Sequence, residues 1–341
     1  MRDRYYDNTR IQEYRSCPRK FFFRHVVDWR GDGWSAPLVF GSSWHAAMDA
    51  IWPMLTKPNR GSGSKSQFDR EEVVATGYTA FVDEWIEGGA THPDEMDPDE
   101  IKRLGQRTPF VAHEMLYEYI IQREEQMKEF TLLEVELPFA VPLDPEDKDL
   151  LYVGRLDKVF EYRGDIIVGE HKTTSLYSKA SGFRNTFIDQ FSPNSQVDGY
   201  LHALHMLYGD KAKSVWIDGA LVHKTVHDCY IWIPIERRTS ALSAWLWETR
   251  NWISQIEANY VVLDDKSPEG DFDIRDAAYL PAFPKNTSTC QDFARNCPYI
   301  DLCKAWPNPI GKDTPMGFVK ETWSPFERLE LDKIGLENPD A

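Results

Sequence analysis

Apolar residues recur every three to four positions in several stretches of the chain, and this spacing predicts amphipathic helices. Near the beginning, Thr9 and Gln12 fit the N-cap and N3 positions of a capping box, so a short helix is predicted towards Ser16. Pro18 suits the first turn of a second helix. Longer helices are predicted over Phe40–Leu55, Glu71–Glu87, Asp99–Met127, Ser195–Tyr208 and Thr239–Tyr260.

The pattern changes after residue 130, where short alternating or apolar runs predict strands. The predicted strands are Leu132–Val141, Leu151–Tyr162, Asp165–Lys172, Ser214–His223 and Asp228–Ile235. Arg163 and Gly164 mark a tight turn, so the first three strands form a meander. The order of elements predicts an α/β fold: a mixed central sheet flanked by helices, an N-terminal helical insertion and a Cys-rich tail. A flexible loop is predicted over residues 58–66.

Composition narrows the class of protein. The 341 residues carry a formal net charge of -16, which argues against a passive nucleic-acid coat protein but leaves room for an enzyme that holds a metal with carboxylates. No apolar run is long enough to span a membrane. The first residues contain no secretory h-region, so a cytoplasmic location is expected. Five cysteines, an odd number, argue against a disulfide framework.

A pair of carboxylates on neighbouring predicted strands is the first candidate for chemistry. Asp157 and Glu170 lie across the tight turn, and two oxygen ligands on rigid strands suit Mg²⁺ or Mn²⁺. Lys172 is two residues after Glu170, so both side chains leave the same face of the strand. A lysine there could orient or deprotonate a water, or stabilise phosphate charge. A surface strand with alternating charges has the same spacing, so this match alone is weak.

Two predicted helices carry further candidates. His45 shares a helix face with Met48 and Trp52, where a packed histidine is the ordinary interpretation and a nitrogen ligand to Mn²⁺ the functional one. Gln196 and Tyr200 are four residues apart on one helix face and could hold a phosphate or a water. Their spacing alone favours an ordinary helix start.

Four cysteines form the last candidate group: Cys17, Cys290, Cys297 and Cys303. Their thiolates could bind Zn²⁺ or an iron–sulfur cluster. Zinc ribbons usually carry two CxxC pairs, and the chain has none, so the wide spacing favours a [4Fe–4S] cluster over zinc. Unrelated thiols are the bland alternative, and Cys229 is interpreted as a core residue.

Taken together, these motifs resemble the RecB-like branch of the PD-(D/E)XK nuclease superfamily, and more closely its iron–sulfur members, the AddB nuclease domain and the CRISPR-adaptation nucleases. The matching positions, in the family's order, are Tyr14, Cys17, Pro18 and Phe21, then Gly41 and His45, Gly154 and Asp157, Glu170 and Lys172, Gln196 and Tyr200, and the three C-terminal cysteines. Leu156 stands where the superfamily name has a proline. Each motif is weak alone, whereas six in sequence are a strong signal.

The resemblance implies roles for these residues. Asp157, Glu170, His45 and the backbone carbonyl of His171 would bind Mg²⁺ or Mn²⁺, and Lys172 would be the catalytic lysine. Gln196 and Tyr200 would complete the site, and the four cysteines would hold a structural [4Fe–4S] cluster. The candidates for DNA contact are the basic N-terminal residues Arg10, Arg15, Arg19, Lys20 and Arg24, and more weakly Lys179 and Arg184.

The expected function is a metal-dependent deoxyribonuclease, an exonuclease on single-stranded DNA or duplex ends more than an endonuclease. One nuclease unit is expected, with a helical lobe over 1–128, a nuclease core over 129–262 and a Cys-rich tail over 263–341. A DNA-end-binding or partner-binding subunit with a vestigial site is the main alternative. The chain has no P-loop, so any helicase or recombination partner would be a separate chain. A zinc protein without a cluster, and the pathway served, stay open.

Overall fold

The computed structural model of the protein describes residues 4–58, 69–264, 274–292 and 295–324. Most of the predicted loop after Pro58 lies outside these residues. The helices are α1 (Asn8–Ser16), α2 (Pro18–His25), α3 (Ala36–Leu55), α4 (Arg70–Glu87), α5 (Pro98–Leu104), α6 (Pro109–Met127), α7 (Asn185–Asp189), α8 (Ser195–Tyr208), α9 (Thr239–Asp264) and α10 (Ile300–Ala305). None of these described helices is both long and apolar enough to cross a membrane.

The described strands form one main sheet and three small two-stranded pairs. They are β1 (Tyr5–Tyr6), β2 (Trp29–Gly31), β3 (Lys57–Pro58), β4 (Thr131–Pro142), β5 (Leu151–Tyr162), β6 (Asp165–Thr174), β7 (Tyr177–Ser178), β8 (Gly182–Phe183), β9 (Ala212–Leu221), β10 (Tyr230–Ile235), β11 (Gln291–Asp292), β12 (Arg295–Asn296) and β13 (Phe318–Lys320). The small pairs are β2 with β13, β7 with β8 and β11 with β12.

The main sheet has the order β10-β9-β6-β5-β4-β3, and β1 pairs with the start of β5. Strands β4, β5 and β6 are neighbours, as the predicted meander requires. Strand β9 follows the crossover helix α8 and runs parallel to β6, whereas β10 returns antiparallel to β9. The sheet is therefore mixed, and the predicted α/β class with a central mixed sheet flanked by helices is confirmed.

Local chemistry accounts for two departures from the predicted helices. The first helix begins two residues earlier than predicted, because the Asp7 carboxylate, not Thr9, caps it by accepting a hydrogen bond from the Arg10 amide at 2.7 Å. The single helix predicted over 99–127 is two helices. Gly105 ends α5 with a φ of 65°, which favours glycine, and Pro109 opens α6 at its first turn.

The chain divides into two compact units. The first comprises residues 1–33, 140–154 and 243–341, and the second comprises 34–139 and 155–242. Strands β4 and β5 therefore each contribute residues to both units. The first unit joins the N-terminal helices to the tail: the buried Arg19 guanidinium donates to the backbone carbonyl of Phe283 at 3.0 Å, and the Phe21 and Phe283 rings stack.

The second unit contains the large apolar core. Helices α3, α4 and α6 pack together, and α3 covers one face of the sheet. Three of its tryptophans, Trp44, Trp52 and Trp85, are fully buried. Burying an aromatic side chain removes a large apolar area from water, so these rings contribute strongly to the stability of this unit.

Candidate active site

The β5–β6 hairpin brings the two predicted carboxylates to the same face of the sheet. Lys158 pairs with Gly169 across the two antiparallel strands. Asp157 and Glu170 are the next residues on the two strands, and the N–H of His171, which follows Glu170, donates to the Asp157 carboxylate, so the two carboxylates lie side by side. Lys172 leaves the same face as Glu170, because successive side chains of a strand alternate. This arrangement follows from the strand register.

Asp157 accepts two donors from different elements. His45 on α3 places its Nδ1 atom 3.1 Å from the Asp157 Oδ2 atom, and the backbone N–H of His171 donates to the same oxygen at 3.0 Å. Asp157 is 7% exposed. Helix α3 and strands β5 and β6 therefore converge on this carboxylate. The sequence predicts the strand that carries Asp157 but not these contacts.

Glu170 lies at the centre of a second group of polar side chains. Its Oε1 atom accepts from the Lys172 ammonium at 2.5 Å and from the Gln196 side-chain amide at 3.1 Å. Gln196 also donates to the Tyr200 hydroxyl at 2.9 Å. The other oxygen, Oε2, is buried with no hydrogen-bond partner among the described residues. A buried, unsatisfied carboxylate oxygen is costly, and a cation bound there would satisfy it.

The pKa values in this site are displaced in opposite directions. Burial, followed by the charge of Asp157, raises the pKa of Glu170 to about 7. Burial alone would also raise the pKa of Asp157, but the charge and hydrogen bond of His45 outweigh it and hold that pKa well below its usual value. Burial opposes protonation of Lys172, yet the neighbouring Glu170 raises the pKa of that ammonium.

The residues present fit a hard divalent cation. Within the described chain, no three His, Cys, Asp or Glu side chains converge closely enough to form a metal centre as they stand. Instead His45 pairs with the Asp157 carboxylate and Lys172 with the Glu170 carboxylate, each as an internal counter-ion. A cation would compete with these positive groups, and the unpartnered Glu170 Oε2 atom gives it an oxygen that no donor holds.

Four charged residues next to this site, in two ion pairs, are absent from the predicted set. Asp49 lies one helical turn after His45 on α3 and forms a salt bridge with the fully buried Lys158. Glu136 on β4 pairs with Arg155, and burial together with Asp49 and Asp157 raises its pKa to about 7. The spacing of His45 and Asp49 could have indicated the first of these. Glu136 has a φ of 53°, which no sequence pattern indicated.

A buried polar network supports the opposite face of β6. His171 pairs in register with Asp218 on β9, and its Nδ1 atom is 3.3 Å from the Asp218 Oδ2 atom. Asp218 also accepts from the Tyr119 hydroxyl at 2.6 Å and from the Arg123 guanidinium at 3.0 Å. Helix α6 thereby anchors His171, which is the residue between Glu170 and Lys172 on β6. The predicted role of His171, through its backbone carbonyl, stays a prediction.

The four candidate cysteines line one cavity of the first unit, of about 200 Å³. Cys17 lies between α1 and α2, and its Sγ atom accepts a hydrogen bond from the Asn286 amide at 3.3 Å. The Cys297 amide donates to the Cys290 carbonyl at 2.8 Å. Amide donors to sulfur are a feature of thiolate-bound clusters. Cys229 is in the second unit and does not line this cavity.

The basic N-terminal stretch is partly structural. Arg10 and Arg19 are buried and donate to backbone carbonyls, and Arg24 pairs with Glu321. Their guanidinium groups are occupied inside the protein, so we propose no DNA contact for these three. Arg15 is exposed, and Lys20 is half-buried beside Glu13.

One known protein family matches most of the chain. A family model of the PD-(D/E)XK nuclease superfamily matches residues 8–304, which include all the positions that carry the resemblance. One solved structure, titled "Putative exonuclease" from Eubacterium rectale, is similar with a TM-score of 0.41 and 14% identity, over 75% of this chain and 82% of that chain. Among curated proteins, none matches the sequence.

Proposed function

The chain belongs to the PD-(D/E)XK nuclease superfamily, and from this premise we propose that it is a divalent-metal-dependent deoxyribonuclease with Asp157, Glu170 and Lys172 at its centre. The observation that carries the proposal is the buried Glu170 Oε2 atom, which has no donor among the described residues and lies on a strand face shared with Asp157 and Lys172. A purely structural ion-pair cluster would have no use for that unsatisfied oxygen.

Asp157 and Glu170 would hold Mg²⁺ or Mn²⁺, helped by His45 and the His171 carbonyl. When bound, the cation would supply a more acidic water and would neutralise charge on the scissile phosphate. Lys172, held beside Glu170, orients the attacking water or stabilises the negative charge that develops on the phosphate. Gln196 fixes Glu170 through its 3.1 Å hydrogen bond and Tyr200 fixes Gln196, so this pair positions the carboxylate.

The finer assignment is to the RecB-like branch with a [4Fe–4S] cluster bound by Cys17, Cys290, Cys297 and Cys303. Two observations support it. The four cysteines line one cavity, and the Asn286 backbone N–H donates a hydrogen bond to the Cys17 Sγ atom. Cleavage from single-stranded or duplex DNA ends is the expected mode. A separate helicase or recombination protein stays the expected type of partner.

Digestion of end-labelled linear DNA and closed circular DNA, each with Mg²⁺, Mn²⁺ or EDTA, tests the proposed function. We expect metal-dependent loss of the linear substrate, and loss of cleavage in Lys172→Ala and in Asp157→Ala with unchanged circular dichroism. Lys211→Ala removes an exposed lysine of the same unit and serves as the matched control. Cleavage retained in both active-site variants would refute the assigned site.

A further inference from the structure

A short segment between β6 and α8 lies beside Lys172. Phe183 of strand β8 stacks on Phe187 of α7, with ring centroids 5.5 Å apart. Phe187 in turn occupies the space above Gly219, where an added Cβ would come within 2.9 Å of the ring. Gly219 is the register partner of Lys172 in the parallel β6–β9 pair, so the two residues leave the same face. The β7–β8 hairpin is thereby attached next to the proposed active site.

This hairpin carries a fixed aromatic pair. Tyr177 stacks on His223, with ring centroids 4.6 Å apart and planes at 26°, and both side chains are partly exposed. The His223 Nδ1 atom is 3.1 Å from the Thr225 hydroxyl, which holds the imidazole in place. Arg184 donates to the Tyr177 carbonyl at 3.1 Å and holds the hairpin. The two rings therefore form a preorganised flat surface.

Three basic residues lie close in sequence to the aromatic pair, in a protein whose net charge is -16. Lys179 at the tip of the hairpin and Lys224 next to His223 are exposed, and neither forms a salt bridge within the part of the chain that the structure describes. Arg184 is exposed as well and bonds only to a backbone carbonyl there. Exposed rings that stack bases, next to cations that contact phosphates, are the combination by which proteins bind single-stranded nucleic acid.

We propose that Tyr177, His223, Lys179, Arg184 and Lys224 form a stacking platform for unpaired nucleotides of the strand that enters the active site. This inference rests on the proposed nuclease function and defines its substrate class as single-stranded DNA or an unpaired strand end. Bases inside a duplex have both faces covered by their neighbours, so they cannot stack on the Tyr177 and His223 rings. The cations alone would bind either form of DNA.

Binding in EDTA separates this proposal from cleavage. The full-length protein is titrated into a fluorescent oligothymidylate and into a blunt hairpin duplex of the same charge, and anisotropy is measured. We expect Tyr177→Ala and His223→Ala each to weaken binding of the single strand by roughly tenfold, and duplex binding by less than about twofold. Tyr177→Phe keeps the ring and should bind as the wild type. Trp247→Ala removes an exposed aromatic residue outside the platform and should have no effect.

Two outcomes would overturn the platform. One is single-strand binding in both alanine variants equal to that of the wild type, and the other is an equal loss for single strand and duplex. Two separate substitutions guard against one variant that fails to fold, and thermal melting identifies such a variant. A wild-type protein that binds the single strand through Tyr177 but cleaves nothing with metal present would refute the nuclease proposal and leave the platform standing.

Discussion

At the scale of single residues, Glu170 combines burial with an unsatisfied oxygen. Its pKa of about 7 in the folded chain lies above the ordinary value of 4.5. A carboxyl group whose folded pKa is raised favours the folded state when it is protonated. The contribution of Glu170 to the stability of the metal-free protein is therefore greatest below about pH 4.5, and it is lost as the pH rises from there through about 7.

A bound cation should offset this loss, which makes metal binding dependent on pH. We expect the rise in Tm caused by Mn²⁺ to be several-fold larger at about pH 8 than at about pH 6, because protons compete with the metal for Glu170 at the lower pH. Differential scanning fluorimetry measures both shifts. In Glu170→Gln the dependence should flatten. Equal shifts at the two pH values in the wild type would contradict the assignment of Glu170.

At the scale of elements, the α3–α4 contact depends on one glycine. A Cβ added at Gly77 of α4 would come within 2.7 Å of the Ile51 side chain of α3 and 3.3 Å of Leu116. Ile51 and Leu116 are fully buried, so the packed core has no room for the methyl group. Gly41 of α3 offers a matched comparison, because nothing lies within 4 Å of its Cβ position.

We expect Gly77→Ala to lower the free energy of unfolding by about 1–3 kcal/mol through overpacking. Gly41→Ala should raise it by about 0.5–1 kcal/mol, because alanine has the higher helix propensity. Urea denaturation of both variants against the wild type checks the two signs. A Gly77→Ala protein more stable than the wild type would contradict the close packing of α4 on Ile51 of α3.

The network behind β6 gives a second prediction for this scale. Asp218 is 2% exposed and compensates Arg123, which has no other carboxylate at hydrogen-bond distance in the described chain. Asp218→Asn should lower the free energy of unfolding by about 3 kcal/mol, because it leaves a buried charge without its partner. Tyr119→Phe removes two hydrogen bonds, the one donated to Asp218 and the one accepted from the Trp52 indole N–H at 3.1 Å, and should cost about 2 kcal/mol. A smaller loss in Asp218→Asn than in Tyr119→Phe would contradict the charge argument.

The elements show what sequence patterns can predict. Leu151–Tyr162 and Ser195–Tyr208 match their predicted bounds, because alternation and helical spacing are local properties. Gly105 and Pro109 are local signals of the break between α5 and α6, and the single helix predicted over 99–127 does not take them into account. The pairing of His171 with Asp218 depends on the parallel crossover to β9, so no local pattern contains it. The conformation of Glu136 is likewise set by its surroundings.

At the scale of the whole molecule, the four cysteines predict a visible property. Protein purified without oxygen should be brown, with iron and sulfide in equal amounts, if these thiolates bind a cubic cluster. Cys17→Ser should lose the visible absorbance, whereas Cys229→Ser, whose cysteine is in the other unit, should keep it. Bound zinc without iron, measured by elemental analysis, would contradict the cluster and favour the zinc alternative.

The interleaving of the two units has a consequence for synthesis. The second unit ends at residue 242, so all of its residues precede the last segment of the first unit as the ribosome makes the chain. Arg19 and Phe21, by contrast, meet their partners near residue 283 only after more than 260 residues have been added. Until the tail emerges, the N-terminal helices therefore lack the Phe283 ring that packs on Phe21 and Phe22 and the Tyr299 ring that stacks on Phe23, so part of this aromatic run stays exposed in the nascent chain.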